Sequence, residues 1–393
     1  MSRRGSHAPR PWPGVAIALV VVTVLLLLFG LLMAFSASFV DAALDGDAFA
    51  TFRRQALWAA VAAPVAWSVS RLPRAVLRRL AWPALGVAVL GLVLVLVPGL
   101  GVERFGSRRW LGIGEFVVQP SEVAKLVLLV WLADVLDRKR PRDGSLHTTE
   151  HLLVPALPVL GAVALLVLLQ PDLGTTILIA VVVALVLWVE GLRLRVFAVT
   201  AAAGAAGAVL LAFGAEYRSA RIRGWLDPEA YALGEGFQLI QSWVSLGSGG
   251  VTGLGLGSSR GKWNYLPNPG TDFIFAVIGE ELGLVGAGVV LLLFLLLLGL
   301  GLHVASVARP GFDRTVSFAV TGLVVGQALL NIATVVGLVP ITGVTLPLVS
   351  AGGSSLVVTM AALGLLVNVA RDPAPAPALT RPAAGRASRD GGR

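Results

Sequence analysis

Apolar residues run on almost unbroken from Val15 to about Phe39, after a short polar and basic start. Comparable runs recur at about Gln55–Ser70, Ala81–Pro98, Ser121–Leu136, Leu152–Leu169, Gly174–Val189, Val196–Gly214, Asp272–His303, Val316–Val339 and Ser354–Ala370. A helix needs about twenty apolar residues to cross the hydrocarbon core. The pattern therefore predicts an all-α polytopic membrane protein of about ten transmembrane helices, with both termini on one side. The first run offers small residues for cleavage in A-F-S-A-S but exceeds the apolar core of a signal peptide, so it is predicted to be the first span. The eighth run exceeds one crossing, which predicts tilt or projection into water.

Composition agrees: 56% of residues are hydrophobic, 13% are charged and the mean hydropathy is +0.84, which excludes an ordinary soluble domain. A net charge of +9 would suggest nucleic acid in a soluble chain. Here it is read as positive cytoplasmic loops, and no nucleic-acid partner is expected. With a cytoplasmic N-terminus, the inner segments carry Arg3, Arg4 and Arg10, then Arg71, Arg74, Arg78 and Arg79, then Arg138, Lys139, Arg140 and Arg142. Arg193 and Arg195, Arg309 and Arg314, and the tail arginines from Arg371 to Arg393 follow on the same side. There is no cysteine, and the four histidines show no ligand spacing. Any metal would be held by carboxylates, as Mg²⁺ or Mn²⁺ bridging phosphates.

Three segments follow: an N-terminal cytoplasmic tail (1–13), a ten-helix transmembrane domain (14–370) and a Pro/Ala-rich disordered tail (371–393). The outer loops carry the information. One runs from Gly99 to Pro120 and contains F-G-S-R-R-W-L-G-I-G. A second, about 215–271 between helices seven and eight, is far longer than a connection needs to be. Within it, A-L-G-E-G-F-Q-L-I-Q-S-W-V-S-L has the spacing of an amphipathic helix in the headgroup layer. The following S-G-G-V-T-G-L-G-L-G is able to offer bare backbone N–H groups to a ligand. The last outer loop, P-I-T-G-V-T-L-P-L-V-S-A-G-G-S-S, is uncharged and predicts a re-entrant stretch.

The candidate chemistry centres on Lys262 to Gly283. Asp272 stands at the water boundary, on the first turn of the predicted eighth helix. As residues alone, T-D at a helix start reads first as capping. An aspartate near its ordinary pKa of about 3.9 is a weak base, the helix dipole weakens it further, and desolvation opposes both. Glu280 and Glu281 lie within the apolar run and are expected to pair with basic groups; helical rotation prevents both from facing the cavity of Asp272. Glu122 and Lys125 are three apart, an intrahelical pair that marks a polar cavity, and Lys125 could alternatively reach a pyrophosphate oxygen. Arg109 suits a bidentate phosphate contact; Trp110 suits either the membrane interface or a sugar face. Arg218, Arg221 and Arg223 open the long loop and are expected to meet anionic headgroups before a diphosphate.

At these residues the chain resembles the SEDS family of shape, elongation, division and sporulation proteins. The resemblance lies in G-S-R-R-W-L-G (Gly106–Gly112), Q-P-S-E-V-A-K-L (Gln119–Leu126), Q-P-D-L-G-T (Gln170–Thr175) and G-F-Q-L-I-Q-S (Gly236–Ser242). It continues in G-S-G-G-V-T-G-L-G-L-G (Gly247–Gly257), T-D-F-I-F-A-V-I-G-E-E-L-G (Thr271–Gly283) and L-P-L-V-S-A-G-G-S-S (Leu346–Ser355). The G-G-S-S ending and the K-W-N-Y-L-P-N approach are more similar to the division branch, typified by FtsW, than to the elongation branch, typified by RodA. The resemblance implies ten membrane helices and a peptidoglycan glycosyltransferase that polymerises lipid II at the septum. It implies Asp272 as general base and undecaprenyl pyrophosphate as leaving group. Lys262 and Ser354 join Arg109, Trp110, Glu122 and Lys125 as substrate-binding candidates, with Glu280 and Glu281 in support. The implied partners are a class B penicillin-binding protein, the undecaprenyl-pyrophosphate-linked glycan and other divisome proteins in a bacterial inner (plasma) membrane. A lipid II flippase, an elongation polymerase and a divisome scaffold are the alternatives. The family usually has a histidine where Gly270 stands and commonly a tyrosine where Ala351 stands.

Overall fold

In the computed structural model, the described residues are 14–44, 47, 49–104, 107–113, 116–140, 149–213, 216–259, 266–267 and 269–372. The tail 1–13, Lys262 and residues 373–393 fall outside them. Ten helices coincide with the ten predicted spans: α1 (Val15–Leu44), α2 (Ala50–Val69), α3 (Arg74–Leu96), α4 (Pro120–Arg138), α5 (Thr149–Leu169), α6 (Leu173–Val189), α7 (Leu194–Phe213), α10 (Ile274–Val307), α11 (Phe312–Val335) and α12 (Gly353–Ala370). Six of them (α1, α3, α5, α10, α11 and α12) contain runs long and apolar enough to cross a membrane, and α6 and the start of α7 are shorter apolar helices. The remaining two carry charge, Arg53 and Arg54 in α2 and Glu122, Lys125, Asp134 and Asp137 in α4. Large apolar side chains lie bare on the outer helices, among them Val87, Val199 and Leu292. Water would penalise such surface; lipid does not.

Helix α11 sits at the centre, touching α4, α6, α10 and α12, while α12 lies along α2 and α1 packs on α10. One apolar core joins α1, α2, α10, α11 and α12, a second joins α3 to α6, and α11 contributes Ala319 and Leu323 to the latter.

The outer segments are more ordered than expected. The predicted loop Gly99–Pro120 holds an antiparallel three-stranded sheet of β1 (Gly101–Arg104), β2 (Ser107–Ile113) and β3 (Phe116–Val118), so the fold is not wholly helical. The long loop contains α8 (Glu216–Leu226) and α9 (Phe237–Gly249). Helix α9 extends into the glycine run and buries Leu239, Ser242, Ser245 and Gly249, leaving Trp243 and Val244 exposed. Its small, polar face points inward and its apolar face outward, as suits a helix beside lipid.

Helix α10 is broken at Gly283 (φ 64°, ψ −163°), and this explains its excess length. Before the break, Ile274–Glu281 is wholly buried; after it, Leu284, Val285 and Leu292 are exposed. In an unbroken helix the Leu284 and Val285 amides would donate to the Glu280 and Glu281 carbonyls. Instead, the latter two carbonyls accept from Leu254 N (3.0 Å) and Gly255 N (2.9 Å), and the Leu284 and Val285 amides donate to Gly250 O (2.9 Å) and Val251 O (3.1 Å). The glycine-rich run thus stitches the break closed. Its N–H groups at Leu254 and Gly255 serve α10 rather than a ligand, which corrects the sequence expectation. Gly253 (φ +81°) allows this approach, because a Cβ there would stand 2.1 Å from the Glu281 carbonyl oxygen.

At the bundle end formed by the starts of α3 and α11 and the ends of α4, α6 and α12, ion pairs knit the helices together. Arg78 binds Asp134 and Asp137 (both 2.7 Å), and Arg138 also binds Asp134 (2.7 Å), whose side chain has 0% exposure. Arg74 meets Asp313 (3.4 Å) and Asp372 (3.5 Å), Arg309 meets Asp372 (2.9 Å), and Arg140 meets Glu190 (2.6 Å).

Gly253→Ala is expected to lower the thermal unfolding midpoint of the detergent-solubilised protein. A side chain in that backbone conformation costs on the order of 1–3 kcal/mol before the clash with α10 is added. An unchanged midpoint would show that the stitch contributes nothing to stability.

Candidate active site

At the opposite end of the bundle a cavity of about 840 Å³ gathers residues from nearly every outer segment. Its wall includes Asp272, Arg109, Trp110, Glu122, Gln119, Thr175, Arg221, Glu235, Gln238, Gly343, Thr345 and Ser354. Helix α2 adds Thr51, Arg54, Gln55 and Trp58, a polar stripe at i, i+3, i+4 and i+7.

Asp272 lies two residues before α10 begins at Ile274, not within its first turn. The helix N-cap is Phe273, with no side-chain cap. Among the described residues the Asp272 carboxylate accepts no hydrogen bond. Burial pushes its pKa up to about 6, the Arg221 and then the Arg109 guanidinium pull it back down, and Asp172 adds to the rise. Of the opposing effects weighed from the sequence, desolvation outweighs the two guanidinium charges.

The two arginines are anchored by backbone carbonyls. Alternation along β2 turns Arg108 outward to Glu103 (3.4 Å) and Arg109 inward. Arg109 donates from Nε to Gln170 O (3.0 Å) and from Nη2 to Pro171 O (2.5 Å), with Asp172 3.9 Å away. Arg221 donates to Ile341 O (3.1 Å). Its helix α8 and the following α9 are moored to the C-terminal end of α11, where Trp225 of α8 donates to Gly337 O (2.8 Å), and Ser242 and Trp243 of α9 donate to Val335 O (2.7 Å) and Val336 O (3.2 Å). These donors satisfy carbonyls that the helix end leaves open. The sequence reading favoured headgroups for Arg221; the structure puts it in the cavity wall. The side chain of Arg218 lies outside the described residues, and Arg223 turns to Glu216 (2.7 Å).

The Glu122–Lys125 pair is present at 2.8 Å, but its members part company. Glu122 lines the cavity. Lys125, with 1% exposure, stands behind it and gives a second hydrogen bond to Gln327 Oε1 (2.7 Å), so it does not reach the cavity. Ser354 lines the wall and accepts from Gln119 N (3.2 Å). Glu280 and Glu281 are off the cavity. Both meet Ser259, whose Oγ donates to Glu280 (2.6 Å) and whose N donates to Glu281 (3.3 Å), and Ser36 donates to Glu281 (2.5 Å). Gly270 and Ala351, the two departures from the family pattern, are neighbours on the wall, joined by Ala351 N to Gly270 O (2.9 Å). Among the described residues no three His, Asp or Glu side chains gather as a metal site.

Fold and site together define a polytopic membrane protein with a half-buried carboxylate set against two arginines in the wall of one cavity. The chain belongs to the FtsW, RodA and SpoVE family, described as cell cycle proteins, which it matches over residues 17–374. It is 41% identical over 371 residues to the probable peptidoglycan glycosyltransferase FtsW of Mycobacterium tuberculosis, covering 94% of this chain and 70% of that one. It is 40% identical over 355 residues to stage V sporulation protein E of Bacillus subtilis, covering 90% and 96%. Among solved structures it is similar to a chain of a peptidoglycan synthase complex that coordinates polymerization and crosslinking (TM-score 0.72, 32% identity, covering 92% and 98%). It is also similar to the rod shape determining protein RodA of Thermus thermophilus (TM-score 0.66, 30% identity, covering 90% and 96%).

Lys125→Met should strand Glu122 as an uncompensated buried charge, at a cost of about 3–5 kcal/mol. Glu122→Gln added to it should recover much of the loss. The two unfolding midpoints measure this; equal midpoints for the single and double variants would remove the pair from the stability of α4.

Proposed function

We infer that this chain is a peptidoglycan glycosyltransferase that polymerises lipid II into glycan strands during cell division. The observation that carries the reading is Asp272: a carboxylate with a pKa near 6, in a cavity with Arg109 and Arg221, in a chain whose relatives are named peptidoglycan glycosyltransferases. Asp272 removes the proton from the acceptor's sugar hydroxyl as the oxygen attacks the donor's anomeric carbon. The new glycosidic C–O bond forms while the bond to undecaprenyl pyrophosphate breaks, and the leaving diphosphate departs with the electron pair. Arg109 and Arg221, fixed in advance by carbonyls, stabilise that developing charge. Trp110 and Ser354 contribute wall for the sugar, and Glu122 shapes its floor.

The likeness to a polymerising and crosslinking complex supports a class B penicillin-binding protein as partner. The loop charges support cytoplasmic termini, which puts the cavity on the outer side, and the FtsW relatives support septal location in the inner (plasma) membrane. The flippase reading needs both ends of the bundle to open. Against it stands the lattice of Arg78, Asp134, Asp137, Arg74, Asp313 and Asp372, which ties one end shut.

Purified protein with its partner should polymerise lipid II, and Asp272→Ala should abolish this; full activity in the variant would sink the assignment. The base works deprotonated, so kcat should fall as pH drops through about 6, where burial holds the Asp272 carboxyl. Arg221→Gln removes a charge that lowers this pKa and should move the acidic limb to higher pH. Initial polymerisation rates across the pH range check both, and a limb near pH 4 would mean an ordinary carboxyl.

A further inference from the structure

A base with no hydrogen bond on its carboxylate must be aimed by its backbone. Gly270, Thr271 and Asp272 belong to no helix or strand, yet their three consecutive carbonyls are each taken by a donor. Ala351 N donates to Gly270 O (2.9 Å), Ser350 Oγ to Thr271 O (2.6 Å) and Asn331 Nδ2 to Asp272 O (2.8 Å). We propose that Asn331, with Ser350, is a positioning residue for the catalytic carboxylate, acting through the backbone of residues 271 and 272.

Asn331 lies on α11, has 1% exposure and does not line the cavity. Its Nδ2 also donates to Val344 O (2.8 Å). The neighbouring Gly343 faces the base so closely that a Cβ there would stand 3.7 Å from Asp272 Oδ2. One amide therefore sets both the base and the wall opposite it. The other half of the side chain is unused: Asn331 Oδ1 is buried and accepts nothing among the described residues. An orphaned buried acceptor costs about 1–3 kcal/mol, and a leucine of similar volume would avoid it. What this position requires is the pair of donor protons. Ser350 is used on both sides, accepting from Leu346 N (2.8 Å) while donating to Thr271, and Gln55 grips the same turn through Ser350 O (3.3 Å) and Gly352 N (3.2 Å).

The inference rests on the glycosyltransferase reading, and the test separates the two. Asn331→Leu keeps the volume and removes the donors; Asn331→Asp keeps the shape and removes them too. Full-length variants with the partner should lose about tenfold to a hundredfold in kcat for lipid II polymerisation, as a displacement of about 1 Å can produce, while KM stays within twofold. Hydrogen–deuterium exchange across residues 270–277 should quicken with a near-normal unfolding midpoint, a readout that needs no activity. Either variant keeping kcat within twofold of wild type, a loss carried by KM instead, or unchanged exchange would overturn the inference. Inactive wild-type protein would sink the function reading and leave the exchange result to decide this one. If neither Asn331 variant folds, Ser350→Ala carries the same readouts with the same criteria.

Discussion

The interrupted helix α10, closed by a loop from outside itself, is the constraint on which the outer half of this protein depends. Unbroken, its 34 residues would span about 51 Å, far more than the roughly 30 Å of hydrocarbon. The interruption at Gly283 keeps the first segment inside the protein and gives the membrane only the second. An open pair of amides and an open pair of carbonyls at that depth would each cost several kcal/mol. The run Gly250–Gly255 supplies a partner to all four. The long outer loop is therefore fastened to α10 through its main chain. Helices α8 and α9, on the same loop, are fastened to the end of α11. Arg221 is part of a wall, not of a flap.

The site is built the same way, from groups fixed before any substrate arrives. Arg109 and Arg221 are held by carbonyls of two different segments, and the Thr271 and Asp272 carbonyls are held by Ser350 and Asn331. Burial opposes the arginines in setting the carboxylate, and burial dominates. Preorganised charges of this kind need no rearrangement as negative charge develops on a leaving group.

The helices at all ten predicted positions were legible because lipid demands apolar runs, six of them long enough to cross a membrane, and that demand survives averaging along the chain. Asp272, which lines the cavity, was singled out through motif resemblance, not through spacing. The helical rotation was legible as well: neither Glu280 nor Glu281 lines the cavity of Asp272, and both reach Ser259, although the helix starts only at Ile274. The strands β1 to β3 are short and carry charged and aromatic residues together, so no alternation stood out. The stripe Thr51, Arg54, Gln55 and Trp58 did have a signal, a helical period of polar positions, but it straddles the start of the predicted run at Gln55, because α2 begins earlier, at Ala50. The backbone role of the glycine run and the donors on Gly270 to Asp272 had none, because they depend on contacts between residues far apart in sequence.

The arginines at the closed end have a history before the fold exists. With the proposed cytoplasmic termini, Arg74, Arg78, Arg138, Arg140 and Arg309 are among the charges that bias loops toward the cytoplasm during insertion, and the same side chains later pair with Asp134, Asp137, Glu190, Asp313 and Asp372. Biogenesis and the finished structure thus draw on one set of residues at successive times. A change at Arg78 would weaken the cue that orients α3 and, in any chain that still inserted correctly, take one of the two arginines from Asp134. Errors of topology and errors of packing would then share a single genetic origin.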